Sequence, residues 1–212
     1  TTKLRLYNPS PVTDGWTVDH TVLEAINGDM PFLVDSVTGA LQRRGLAIHV
    51  VIHPVMQISR DPQGKLIGVI KEGKKPQAET PMGLASPESF IHIQFDHCLN
   101  AALLNDIENE MRGVLADVHA AVQDWTKMRA RIAETIEQSA GSKQGQTPHD
   151  DAEETKEFLR WMDNNNFTLL GYRDIDLVQE GGKLSSIKVV KNHGLGVLRD
   201  DNLRLCGGLR DL

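Results

Sequence analysis

At 212 residues the chain has the length of one large domain or two small ones, and 40 % apolar with 25 % charged residues is the balance of an ordinary globular protein. A net charge of −6 excludes a nucleic-acid surface, which needs a basic field to meet phosphates. No apolar run reaches the length that spans a bilayer, and no secretory signal opens the chain. Cys98 and Cys206 stand far apart and outside any Cys-x-x-Cys pair, so they read as reduced thiols of a cytoplasmic protein. Aromatics make up only 5 %, which leaves the core to Leu, Ile and Val. The start at Thr1 without an initiator Met, and the stop at Leu212 just after Gly207-Gly208, read as an excised fragment of something longer.

In chain order, a short extended stretch at 4–7 leads through a Pro/Gly-bearing turn, residues 8–15. Residues 16–26 carry Thr17, Val18, Thr21, Val22 and Ile26, β-branched residues that favour a strand. Asn27-Gly28-Asp29 breaks that strand. Asp29 is placed to cap a helix whose first turn holds Pro31, and Leu33, Val37, Ala40 and Leu41 recur at helical spacing until Gly45 stops it. Residues 46–58 return to period two, with Ile48, Val50 and Ile52 on one face and His49, Val51 and His53 on the other. Pro54 marks an edge or a bulge there. Asp61-Pro62-Gln63-Gly64 is a turn sequence leading to a strand at 66–70. Residues 71–87, rich in Gly, Pro and Lys, read as a loop, in which Lys71, Lys74 and Lys75 are solvated. At 90–95 Ile91, Ile93 and Phe95 alternate onto one side.

The strongest periodicity follows. Leu104, Ile107, Met111, Val114, Val118, Ala121, Trp125, Met128, Ile132 and Thr135 step by three and four, predicting a helix over about 101–139. A rival reading makes 118–122 a strand between two helices. Residues 141–150 are a linker by composition. A short helix at 153–162, closed by Asn164-Asn165-Asn166, and two strands at 167–178 and 184–191 joined by Gly181-Gly182 complete the reading. The expected organisation is a β/α core over 1–98, a long helix over 99–140, the linker, and the start of a second, smaller α+β domain over 151–212.

The first half thus runs strand, helix, strand, strand, helix, the split βαβ plan of an α+β, ferredoxin-like fold. Its first strand–helix loop, Asn27-Gly28-Asp29-Met30-Pro31-Phe32-Leu33, resembles the Asp-x-Pro-Gly-Leu loop of ACT domains, with Phe32 where those have Gly. Longer strings resemble the large bacterial NAD-specific glutamate dehydrogenases. They are Asp14-Gly15-Trp16, the run from Asp29 to Val37, the run from Arg43 to His49, Ile52-His53-Pro54-Val55, Asp124-Trp125-x-x-Met128, Phe158-Leu159-Arg160-Trp161, Leu169-Leu170-Gly171-Tyr172-Arg173 and the run from Gly194 to Asp200. This resemblance implies an ACT-like N-terminal regulatory region of a cytosolic, oligomeric enzyme. That enzyme converts glutamate to 2-oxoglutarate and ammonia, with NAD and the chemistry in a distant C-terminal core. In ACT-like folds an amino-acid effector sits where the first loop meets an adjoining sheet or a symmetry mate, so Asn27, Gly28, Asp29, Met30, Pro31, Phe32 and Leu33 become the effector-binding residues, with Ile48 and His49 as the opposite wall across a dimer.

Catalytic machinery is not expected in this piece. Gly194-x-Gly196 and Gly181-Gly182-Lys183 lack the strand–turn–helix setting of a dinucleotide site, so they read as turn glycines and no cofactor is assigned here. His49, His53 and His92, with Asp96 and His97, have some metal-ligand character, but strand histidines at such spacing commonly hydrogen-bond instead, and no metal is assigned. Three functions remain open: an amino-acid-sensing regulatory module, an assembly segment without a ligand, and an enzyme with a metal at the histidines. The expected partners are an amino-acid effector, the rest of the parent enzyme and further copies of the chain, with neither nucleic acid nor membrane.

Overall fold

The computed structural model describes residues 2–70, 84–141, 149–180 and 183–200. They form two compact units, residues 1–116 and 117–212, with the boundary inside one long helix.

In the first unit β1 (Lys3–Tyr7) and β2 (Thr21–Gly28) precede α1 (Leu33–Arg43), followed by β3 (Ile48–Ile52), β4 (Val55–Arg60), β5 (Leu66–Ile70), β6 (Leu84–Phe95) and the start of α2 (Ala101–Gly141). All pairings in its sheet are antiparallel, in the order β1-β2-β6-β4-β5, with β3 also on β6. β2 and β3 therefore run parallel with β6 between them, joined over one face by α1. This is the expected α+β βαββα plan, with β1 and β5 added at the two edges.

Register explains the core. Thr21 lies opposite Phe95, Leu23 opposite Ile93, Ala25 opposite Ile91 and Asn27 opposite Ser89, so these pairs share one sheet face. All eight are buried. The helical stripes fill the same core: Leu33, Val37, Ala40 and Leu41 from α1, and Ile107, Met111 and Leu115 from α2. Gly45 ends α1 with a left-handed φ of 76°. Its N–H bonds Gln42 O and that of Leu46 bonds Leu41 O, a Schellman closure. α2 is capped by Asn100, whose Oδ1 accepts from Ala102 N and Leu103 N.

On the outer face Arg5 pairs with Glu24 at 2.9 Å, and Glu24 lies opposite His92. Segment 8–20 folds across this face and sets Trp16 edge-on to Tyr7 and 6.2 Å from His92. Buried Thr21 pins the base of that segment. Its Oγ1 donates to Asn8 Oδ1 and accepts from Cys98 N, while Asn8 Nδ2 donates to Cys98 O.

The second unit holds the rest of α2, α3 (His149–Trp161), a wide turn over Met162–Asn166, and four strands. These are β7 (Gly171–Tyr172) paired with β10 (Leu195–Gly196), and β8 (Ile175–Glu180) paired with β9 (Lys183–Val189). Its anchor is Asp124 of α2, 1 % exposed. The carboxylate accepts from Gly196 N at 2.9 Å, Arg199 Nη2 at 2.7 Å and Lys127 Nζ at 3.1 Å. The glycines beside it permit close backbone packing. A Cβ on Gly194 would sit 2.1 Å from the Leu198 carbonyl oxygen, and one on Gly196 2.2 Å from that of Leu170.

Several expectations need correction. The strand expected from residue 16 begins at Thr21 and runs through Asn27 and Gly28, which pair with Ser89 and Glu88 instead of breaking it. The loop expected at 71–87 ends earlier, because Leu84 already belongs to β6; residues 71–83 lie outside the described residues. The strand expected over 46–58 is two strands on β6, separated at His53-Pro54, with a bulge between Ile48 and Val50. α2 is continuous through 118–122, so the strand alternative there is overturned. Within it Leu115 is buried where Val114 was expected. The strand expected over 167–178 is likewise two, and β10 went unforeseen. The linker residues 142–148 and the Gly181-Gly182 junction lie outside the described residues.

Candidate functional site

The first strand–helix junction is built on a left-handed turn. After Gly28, Asp29 N–H donates to Pro87 O at 3.0 Å, closing the strand end onto β6. The chain turns through Met30 and Pro31 to Phe32, whose φ is 72°. α1 begins at Leu33, and its first helical bond is Ser36 N to Phe32 O, 3.0 Å. No side chain caps it. Asp29 is therefore not the N-cap, and Pro31 precedes the helix instead of opening it, because the left-handed residue intervenes.

Leu33, Val34 and Asp35 thus present first-turn amides at the positive end of α1 without a capping side chain. At the end of the neighbouring strand lies a buried polar pair. Asn27 is 3 % exposed and stands opposite Ser89, which is fully buried. Thr2 Oγ1 bonds Asn27 Oδ1 at 2.5 Å, and Ser89 Oγ bonds His53 Nε2 at 2.5 Å. Asn27 Nδ2 has no partner. Leaving a buried polar group unmatched costs about 1–3 kcal/mol, so such groups are rare in folded proteins.

The register separates the two halves of the expected site. Asn27 is level with Ser89 and Val55, whereas Ile48 is level with Phe95. Six residue steps along β6, about 20 Å, separate the two levels. Within the chain, His53 and Val55 flank the loop level, and Ile48 and His49 lie at the opposite end of β6. Gly28, Asp29, Pro31 and Phe32 are exposed and Met30 is half-buried, while the Leu33 side chain belongs to the core. Phe32 is 45 % exposed, so its ring does not fill a closed cavity.

The backbone at Phe32 explains why related loops place Gly there. A left-handed residue bearing a Cβ costs about 1–2 kcal/mol, and Gly returns about 0.5–1 kcal/mol through its freer unfolded chain. Phe32→Gly is expected to stabilise the chain by up to about 1 kcal/mol. Phe32→Val is expected to destabilise it, since a β-branched residue tolerates positive φ least. Urea unfolding of the three proteins checks both signs.

The histidines do not converge. His49 Nε2 meets Asp96 Oδ1 at 2.9 Å, His53 meets Ser89, and His92 Nδ1 meets Glu24 Oε1 at 3.2 Å. Among the described residues no group of three or more His, Cys, Asp or Glu side chains is arranged to hold a metal ion. No helix among them is long and apolar enough to cross a membrane.

Comparison with known proteins agrees with this architecture. The chain is 36 % identical over 204 residues to the NAD-specific glutamate dehydrogenase of Halomonas elongata, covering 95 % of this chain and 12 % of that protein. It is 32 % identical over 184 residues to that of Pseudomonas aeruginosa, covering 86 % and 11 %. The enzyme of the same name from Mycobacterium tuberculosis is 31 % identical over 144 residues, covering 66 % and 8 %. The chain therefore spans about an eighth or less of the length of these relatives. Residues 1–111 match the family described as glutamate dehydrogenase, ACT1 domain, and the chain belongs to that family.

Proposed function

We propose that the first unit is a regulatory module of a longer NAD-dependent glutamate dehydrogenase, and that its effector is an amino acid bound at the start of α1. The carboxylate would lie on the amides of Leu33, Val34 and Asp35, where the helix dipole favours an anion. One observation carries this reading: the buried Asn27 amide beside that helix end lacks a partner at Nδ2. His53 and Ser89 extend the polar floor. Binding there would bias the remote catalytic core through a coupling free energy between the two sites. On this proposal NAD and the conversion of glutamate to 2-oxoglutarate and ammonia belong to the remainder of the parent enzyme. The chain itself supplies control.

Calorimetric titration of the 212-residue chain with a panel of amino acids tests the proposal. Saturable heat is expected, strengthened in Phe32→Gly, where the loop backbone opens to the ligand. It is expected to weaken about tenfold in Asn27→Ala, the loss of one hydrogen bond to a charged group. If neither the natural chain nor Phe32→Gly binds any amino acid, sensing fails.

A second reading, assembly without a ligand, has its own observation. Among the described residues β5 is the sheet edge and exposes Leu66, Ile67 and Val69. Apolar edge strands pair readily with another chain, and the five residues Leu66 to Ile70 are apolar on both sides of Gly68. Light scattering of Val69→Lys beside the natural chain distinguishes this reading: only assembly through β5 loses mass.

A further inference from the structure

The β8–β9 hairpin of the second unit has two unlike faces. Ile175 lies opposite Val189 and Leu177 opposite Ile187, so these four aliphatic side chains share one face. Asp176, Lys188 and Ser186 are exposed on the other. Such alternation is the pattern of an antiparallel sheet with one face packed and one in water. Yet Ile175 is 44 % exposed and Leu177 59 %, and Val189 is exposed with them. In the first unit the equivalent pairs, Leu23 with Ile93 and Ala25 with Ile91, are buried.

Among the described residues no third strand joins β8 or β9. A two-stranded hairpin is marginal in water by itself, and an apolar sheet face must be buried against another element.

We propose that the face formed by Ile175, Leu177, Ile187 and Val189 is a docking surface for the remainder of the longer parent chain, an amphipathic segment of which lays its own apolar side there and completes the second unit's core.

A strand added at either edge would lengthen the ladder and leave the face wet. The occupant therefore brings an apolar face, not a free edge. Size separates it from a second copy of the chain. Four partly exposed aliphatic side chains offer on the order of 300 Å² of apolar surface. A stable interface between separate chains takes roughly 800 Å² from each partner. A segment of the same polypeptide needs less, because its covalent link already holds it nearby. Material for it is ample, since this chain spans about an eighth or less of the length of its relatives. The docking presupposes the longer parent enzyme proposed above, and amino-acid sensing at α1 does not enter it.

Residue-resolved hydrogen exchange on the 212-residue chain and on the full-length parent, side by side, tests the docking. Amides of 175–178 and 186–189 are expected to exchange at least about tenfold more slowly in the full-length protein. Leu177→Asp in the full-length protein should return them to the rate of the short chain, and Leu177→Ile should not. Equal rates in the two natural proteins, or protection that survives Leu177→Asp, overturn the proposal. So does protection already present in the short chain: a second copy covers the face where that protection grows with concentration, and the piece covers itself where it does not. Should full-length Leu177→Asp not fold, hydroxyl-radical labelling of the natural proteins decides. Leu177 and Val189 must be labelled in the short chain and shielded in the full-length one, and equal labelling overturns the docking. Glutamate-dependent reduction of NAD by the same full-length protein tests the parent enzyme separately.

Discussion

Met111→Asp is expected to unfold residues 1–116. Met111 is fully buried in α2, one turn from Ile107 and from Leu115, beneath a sheet face of Leu23, Ala25, Ile91 and Ile93. Removing its side chain from the core costs about 2–5 kcal/mol. The carboxylate adds a desolvation penalty of several kcal/mol unless it takes a proton. The sum approaches the about 5–15 kcal/mol that a whole domain holds. Ile132→Asp makes the matching change in the second unit, whose share of α2 also buries Ala121 and Met128. Hydrogen exchange resolved by residue reads the outcome. Met111→Asp should abolish protection in β2 and β6, and Ile132→Asp should do so in residues 117–138. Retained protection of β6 in Met111→Asp would mean that this stripe does not hold the sheet.

The stripe was legible because a helix repeats every 3.6 residues and a buried face must repeat with it. The same holds for α1, and for Ile91, Ile93 and Phe95, which alternate on a strand with one covered face. Gly45 was legible for a local reason, since its positive φ suits Gly. What the residues hid was mostly non-local. The start of β6 looked like loop because of Pro87, yet Pro87 lies beyond the end of β2, where a missing donor is tolerated at an open edge. Its carbonyl instead takes the Asp29 N–H.

Of the candidate site, the loop and its helix could be read, but not the cap. An Asp shortly before a Pro that could sit in a first helical turn reads as an N-cap, and only the backbone shows a left-handed Phe32 in its place. Nor could register be read. Nothing local tells that Ile48 aligns with Phe95 while Asn27 aligns with Ser89, which sets Ile48 and His49 of the same chain at the far end of β6 from the loop. The buried Asn27–Ser89 pair was missed for the same reason, since a polar residue on a strand reads as solvent-facing until its neighbours are known.

Asp124 was hidden in the same way, as one acid on a helix rich in acids. Its partners Gly196 and Arg199 lie 72 and 75 residues away. Burial pushes its carboxyl up, but the Gly196 N–H, Arg199 and Lys127 outweigh that and bring it down to about 2. Asp124→Asn is expected to cost the second unit about 3 kcal/mol at neutral pH, because it leaves a buried carboxylate's donors without their charge. The acid dependence follows from the sign of the shift. A depressed carboxyl stabilises the fold fully above its unfolded value near 3.8, and that stability is lost as pH falls toward about 2. Nearly two pH units are worth about 2.5 kcal/mol. Asp163 and Asp174 of the same unit are also lowered, so wild type alone cannot assign the loss. The difference between wild type and Asp124→Asn can. Urea unfolding at about pH 7, 4 and 2.5 should show the gap between the two proteins wide at the first two values and narrowed at the last. A gap below about 0.5 kcal/mol at neutral pH, or one that persists unchanged in acid, would show that Asp124 does not hold the Gly194–Arg199 strap.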